Sequence, residues 1–139
     1  MNRELKFRVW DVKNKKFLNP SDIAINGNGN LLITDSGYYQ DFQNQNPSDY
    51  VVQQYTGFKD IDIKEIFEGD IIELEVSTKD NNTKLTATID YGLGAFLVMA
   101  KSEDGDLFFP LLQEFHDKIY KYQIKVIGNS FENPELLKQ

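Results

Sequence analysis

The sequence predicts a mainly β protein: a small curved sheet or barrel of short antiparallel strands with a few short helices. Two observations carry this. Runs such as Leu5–Trp10, Ile71–Val76, Lys84–Tyr91 and Tyr122–Asn129 alternate apolar and polar residues, the period of a half-buried strand. Corners rich in Gly, Asn and Asp separate these runs, as in small barrels and strongly curved sheets. A third observation supports both: 10 Phe, 7 Tyr and 1 Trp, within a 40% apolar fraction, are aromatic enough to build a core from 139 residues. No internal repeat is evident.

Taken in order, Leu5, Phe7 and Val9 share one face of the first strand, and Lys6, Arg8 and Trp10 share the other. Val12–Leu18 reads as a turn and a short return strand. Ile23–Ile25 and Leu31–Thr34 flank Asn26-Gly27-Asn28-Gly29-Asn30. Asn and Gly tolerate positive φ, so this is a second hairpin with a bulged loop. Ser36–Asp49 is rich in Gln, Asn and Asp and holds Pro47, which makes it a long loop or connector. Tyr38, Tyr39 and Phe42 within it either pin it to the body or face a partner. Tyr50–Thr56 is a strand expected to end at Gly57.

A short helical turn is expected over Ile63–Phe67, stopping near Gly69. Gly69-Asp70 then corners into a strand with Ile72, Leu74 and Val76 on its core face. Asp80–Thr83 is a turn, and Lys84–Tyr91 a strand with Leu85, Ala87, Ile89 and Tyr91 inward. Gly92-Leu93-Gly94 turns the chain into Ala95–Lys101. Asp104-Gly105 is a further turn. Leu107–Leu112 is interrupted by Pro110, which cannot donate to a ladder, so this run belongs at an edge or in a loop. Gln113–Tyr120 reads as a short helix or a turn. Tyr122–Asn129 is a last strand with Tyr122, Ile124 and Val126 on one face. Asn133-Pro134-Glu135 is a helix start, with Asn as N-cap and Pro at the first helical position. The organisation expected is an N-terminal β-hairpin region with a polar loop over 1–50. A small barrel-like region with a short terminal helix follows over 51–139.

There is no cysteine, so disulfides and thiolate metal sites are excluded. The charged start Met1–Lys6 has no apolar run behind it, which argues against a secretory signal. The longest apolar stretch, Ala95–Ala100, falls far short of the ~20 residues a spanning helix needs. The expectation is a host-cytoplasmic protein with no membrane association. The net charge of −7 is uneven. Arg3, Lys6, Arg8, Lys13, Lys15 and Lys16 outnumber Glu4 and Asp11 in the first sixteen residues, leaving the rest strongly acidic. Such a basic edge is either a solvated, lysine-protected strand or a docking surface for an acidic partner or another copy.

Candidate chemistry is sparse. His116 is the single histidine and lacks a second ligand at zinc spacing. Asp60, Asp62, Glu65, Glu68 and Asp70 form a carboxylate-rich stretch, but Lys59 and Lys64 interleave and the spacing is not a calcium loop, so it reads as a solvated turn. The Asn26–Asn30 loop lacks a following Lys-Ser or Lys-Thr and leads into a strand, which removes the logic of a phosphate cradle. Lys6, Arg8, Trp10, Lys13, Lys15 and Lys16 make a plausible contact set for a partner or a nucleic acid, although the acidic remainder would repel phosphates.

Three segments together resemble the YopX family of phage and prophage proteins of Gram-positive bacteria. They are Lys6–Asp11, Gln54–Asp60 running on to Lys64–Ile71, and Val126–Leu137. Where the family pattern has a polar pair and Gly before Lys-Glu-Ile, this chain has Ile61-Asp62-Ile63. Ile resists positive φ, so the corner is expected to differ, becoming helical. The resemblance implies a phage or prophage gene set and carries no catalytic residue. Gly57, Gly69 and Gly128 look like backbone corners, and Trp10, Tyr55, Phe67 and Phe131 like packing anchors. The expectation is a non-enzymatic accessory protein without cofactors, acting through protein–protein contacts and self-association as a homo-oligomer. The alternative is a small nucleic-acid-binding β-barrel using the basic first strand.

Overall fold

The computed structural model describes residues 3–36, 38, 42–102, 105–111 and 121–138. It is mainly β, built of antiparallel strands, and among the described residues its helical pieces are short 3-10 turns, one of them where the C-terminal helix was expected. Two compact units divide the chain, Leu5–Gln54 and a second built on Tyr55–Gln139.

In the first unit, β1 (Phe7–Asp11) pairs with β2 (Lys16–Phe17), placing Trp10 opposite Phe17 and Asp11 opposite Lys16. The other edge of β1 takes residues 50–54 of β6 (Tyr50–Lys59) in antiparallel register. A separate three-stranded sheet joins β3 (Ile23–Ile25), β4 (Leu31–Ile33) and β5 (Gln43–Asn44). The Asn/Gly loop between β3 and β4 is closed by Asn26, whose Oδ1 accepts the N–H groups of Asn28 and Asn30. Within the stretch read as a connector, the described residues include β5 and a 3-10 turn at Pro47–Asp49, whose N-cap Asn46 accepts from Ser48 N. Tyr38 is exposed, and Tyr39 lies outside the described residues.

In the second unit, β6 runs past Gly57 instead of ending there. Gly57 adopts φ 90°, and the register with β7 (Glu65–Phe67) slips between Tyr55↔Phe67 and Lys59↔Glu65, so the glycine serves a bulge that bends a continuing strand. The main sheet has the order β11-β10-β9-β8-β12. Its strands are β8 (Asp70–Ser77), β9 (Asn82–Gly92), β10 (Ala95–Ser102), β11 (Gly105–Pro110) and β12 (Lys121–Asn129). Leu93 and Gly94 both hold positive φ and close the β9–β10 hairpin as a two-residue turn whose twist matches the strands. Pro110 ends the edge strand β11, where its missing donor does no harm.

Alternation decides what is buried. Ile72 and Leu74 of β8, Ala87 and Ile89 of β9, Val98 and Ala100 of β10, and Ile124 and Val126 of β12 form one core cluster with Ile66 and Leu111. Phe58, Phe96, Phe109 and Tyr122 pack around it. Two expectations fail at the ends of strands. Tyr91, expected inward, is 61% exposed, because its strand has by then run past the core to the hairpin tip. Leu5 is also exposed, since it precedes β1 and has no paired neighbour.

The expected helical turn over Ile63–Phe67 is absent. Ile63 takes φ 65°, the left-handed value it was expected to refuse, and Glu65–Phe67 is a strand. The physical reason is Asp60: its carboxylate accepts from Asp62 N and Lys64 N at 2.9 Å each, fixing a tight turn that leaves no helical register.

At the C-terminus, Asn133 precedes a 3-10 turn, Pro134–Leu137, but its side chain does not cap it. Asn133 Oδ1 instead accepts the Asn129 N–H at 3.2 Å. Gly128 is a site of close approach, not of positive φ: a Cβ there would sit 2.6 Å from Asn133 Oδ1. Gly128→Ala is therefore expected to destabilise by about 1–3 kcal/mol, through overpacking against an anchored side chain. Chemical denaturation of Gly128→Ala in a wild-type and an Asn133→Ala background checks this, and most of the loss is expected to disappear in the second.

Candidate functional site

The basic residues group by position in the first unit. Val9 is fully buried, and Trp10 on the opposite face is 8% exposed, because Phe17 from β2 closes over it in an edge-on contact at 4.9 Å. The Arg8 guanidinium lies 4.8 Å from the same Phe17 ring, and its Nε donates to Gln53 Oε1 at 2.8 Å. Arg8, Phe17 and Trp10 thus make one packed layer, in which the cation–π contact spends the face of the ring internally. Trp10 presents no open ring for a base to stack on. Lys6 is exposed immediately ahead of β1.

Two of the remaining cations, Lys13 and Lys15, ride on the β1–β2 turn, and Lys16 opens β2 directly after it. Asp11 Oδ1 accepts from Lys13 N and Asn14 N, and Oδ2 accepts from the Asn14 side chain at 2.7 Å. Lys15 N donates to the Asp11 carbonyl at 2.8 Å, and Lys15 sits at φ 53°. Asp11 therefore organises the whole turn, and Lys13, Lys15 and the adjoining Lys16 extend into solvent. Hydrogen bonds from the Asn14 backbone and side chain, and from the Lys13 backbone, together with the charge of Lys16, hold the Asp11 carboxyl below its usual value. Nearby Tyr50 is pushed above 10.0, first by burial and then by the charges of Asp11, Asp49 and Asp35.

The sign for Asp11 follows from linkage. Its folded pKa lies below the unfolded one, so its contribution is complete above about pH 4 and is lost as pH falls through the depressed folded value. Acid unfolding of wild type and Asp11→Asn is expected to converge below that range and to diverge above it, with the wild type the more stable.

The carboxylate-rich stretch is not simply a solvated turn. Asp60 is 8% and Asp70 2% exposed. Beyond its two turn bonds, Asp60 accepts the buried Val126 N–H at 2.9 Å, and Asp70 accepts from Phe67 N at 2.8 Å. Both acids accept from backbone donors, so their buried polar atoms are satisfied. Sequence spacing shows an Asp at the head of a turn but not its bond to a residue 66 positions away. His116 and the Gln113–Tyr120 segment lie outside the described residues.

Sequence reasoning also missed two hollows on the outer face of the second unit's sheet. The larger, about 500 Å³, is lined by Thr86, Thr88, Met99, Leu136 and Leu137, with Lys84, Lys101, Asp90 and Asp106 among its charged residues. The smaller, about 270 Å³, lies beside Ile61 and Asp62 and also includes Lys84. Alternation along β9 and β10 marks Thr86, Thr88 and Met99 as outward, but only the folded placement of Leu136 and Leu137 turns that face into a cavity. Among the described residues, no helix is long and apolar enough to cross a membrane.

The curled sheet and these surfaces define a small, mainly β protein with the architecture of the YopX proteins. The chain belongs to that family: the family model described as YopX protein matches residues 6–138. It is similar to the crystal structure of protein EF1440 from Enterococcus faecalis, at 29% identity and TM-score 0.59, over 98% of this chain and 99% of that one. It also resembles in fold the crystal structure of yopX from Bacillus subtilis, at 19% identity and TM-score 0.55, over 94% and 96% of the two chains. No curated protein matches the sequence.

Proposed function

We propose that this YopX-family chain is a non-enzymatic accessory protein of a phage or prophage. It works in the host cytoplasm through protein–protein contacts, including contacts between its own copies. The observation that supports this reading best is the Asp11-organised turn, which with the start of β2 holds Lys13, Lys15 and Lys16 out in solvent. Preordering a charged turn lowers the entropy lost when an acidic surface docks on it. The acidic remainder of the chain supplies such a surface on every copy.

Sedimentation across a salt series tests this. Assembly is expected at low ionic strength, weakening as salt rises and in Lys15→Glu/Lys16→Glu. A chain that stays monomeric at high concentration and low salt would end the self-association part of the reading. The same lysines favour a second reading, a nucleic-acid contact, which has an electrostatic footprint but no open Trp10 ring. Mobility shifts with single- and double-stranded DNA and RNA decide it: salt-sensitive binding lost in the same double variant would promote it.

A further inference from the structure

Ile63 stands out from the other strained positions. Lys15, Ile63 and Leu93 are the non-glycine residues at positive φ among those described, and Ile63 alone is β-branched, for which that conformation is a true outlier. It is also 74% exposed, and Ile61, two residues earlier, is 54% exposed. The turn that carries them is fixed by the Asp60 carboxylate and by the Ile61 N–H bonded to Ile124 O at 3.0 Å. Two aliphatic side chains are therefore displayed at a rigid corner, one against a backbone cost. Among the described residues, neither side chain belongs to the core cluster or packs against it. Glycine at 63 would remove the strain and the exposed apolar surface together, so the isoleucine is explained by something outside the monomer.

The same unit holds a receptor of matching character. The 500 Å³ hollow has an apolar wall of Met99, Leu136 and Leu137, with Leu137 42% exposed. Lys101 lies in its lining with no ion-pair partner among the described residues, and Asp62 beside the knob is mostly exposed, its bond to Lys125 a long 3.9 Å. Lys64 on the turn likewise lacks an ion-pair partner among the described residues, while Asp106 lies at the hollow. Each surface thus carries a charge of each sign to set against the other. Lys84 lines both the large hollow and the smaller one beside Ile61, so knob and hollow share a flank. A two-fold axis can therefore let each copy give its knob and receive its partner's, which closes the assembly as a dimer.

We propose that the Ile61–Ile63 turn is a docking knob that seats in the Met99–Leu136–Leu137 hollow of a second copy of this chain. This rests on the self-association reading above and names the surfaces that carry it. Charge-steered encounter through the lysine turn and apolar seating of the knob are separable contributions, so they fail separately.

Ile63→Gly is the decisive variant, because the two roles move it in opposite directions. Thermal unfolding of dilute, monomeric protein is expected to show a higher Tm than wild type, as the strain is released. Sedimentation equilibrium is expected to show the dimer dissociation constant raised by roughly tenfold or more. The native chain has no cysteine, so crosslinking gives an independent readout. Ile63→Cys and Leu137→Cys, purified separately and mixed under mild oxidation, are expected to yield a heterodisulfide dimer. Assembly unchanged in Ile63→Gly, a lowered monomer Tm, or homodisulfides alone would each overturn the knob. If Ile63→Gly assembles normally while Lys15→Glu/Lys16→Glu does not, the knob falls and the basic-turn reading stands. A wild type that never assembles removes both.

Discussion

Asp60→Ala is expected to unfold at markedly lower denaturant, with a loss of about 3–5 kcal/mol. The carboxylate satisfies three backbone donors, Asp62 N, Lys64 N and Val126 N, each at 2.9 Å. Hydrogen bonds to a charged group contribute about 1.5–3 kcal/mol each, and a buried donor left bare costs about 1–3 kcal/mol. The Val126 bond matters most. β12 is an edge of the five-stranded sheet, and its register with β8 shifts between Val126 and Gly128. Asp60 takes the Val126 N–H, and Ile61 N–H takes the Ile124 carbonyl, so the turn covers groups that a bare edge would offer to another chain. Asp60→Asn keeps one acceptor oxygen but brings an amide donor toward the remaining N–H groups, so a loss of about 2 kcal/mol is expected. Urea titrations of both variants check the order, and a loss under about 1 kcal/mol for Asp60→Ala would refute the role given to it.

Ile89→Ala is expected to cost about 3–4 kcal/mol. Its side chain is wholly buried in the cluster with Ile72, Leu74, Val98 and Val126, and truncation leaves a cavity that paired strands cannot collapse to fill. Tyr91, two residues on along the same strand and expected from alternation to share its face, is 61% exposed and meets only the edge of Phe96, at 5.3 Å, among the described ring contacts. Tyr91→Ala is expected to lose no more than about 1 kcal/mol. The pair of denaturation midpoints, with unchanged slopes, measures how far the core reaches along β9.

Where a feature depends on neighbours in sequence, it was legible beforehand. The alternation of β8, β9 and β12 placed Ile72, Leu74, Ala87, Ile89, Ile124 and Val126 on buried faces, and all six are buried. Gly69 corners into β8 at φ 83°, and Pro110 stands on an edge strand, both for local steric reasons. The three segments resembling YopX proteins led to the family that the match over residues 6–138 shows. The expected helix over Ile63–Phe67 shows the limit. Apolar residues at 63, 66 and 67 have helical spacing, yet one carboxylate upstream binds the turn and a strand 66 residues away, outweighing both spacing and the steric preference of isoleucine.

The candidate surfaces divide in the same way. The excess of Lys and Arg near the N-terminus was visible as a count, but not that Asp11 would organise Lys13 and Lys15 into one turn that leads straight into Lys16. Nor did the count show that Arg8 and Trp10 would be spent on Phe17. Phe17 reaches them only because β2 folds back on β1. By itself, then, the sequence determined that this protein is mainly β, which strand faces are apolar, that the chain corners at Gly69 and at Gly92–Gly94, and to which family it belongs, because period, sterics and motif are written over a few adjacent residues. Only the tertiary structure decided which charges stay exposed, which carboxylates are buried and where a hollow opens, because each depends on burial and hydrogen-bond partners supplied by strands distant in sequence.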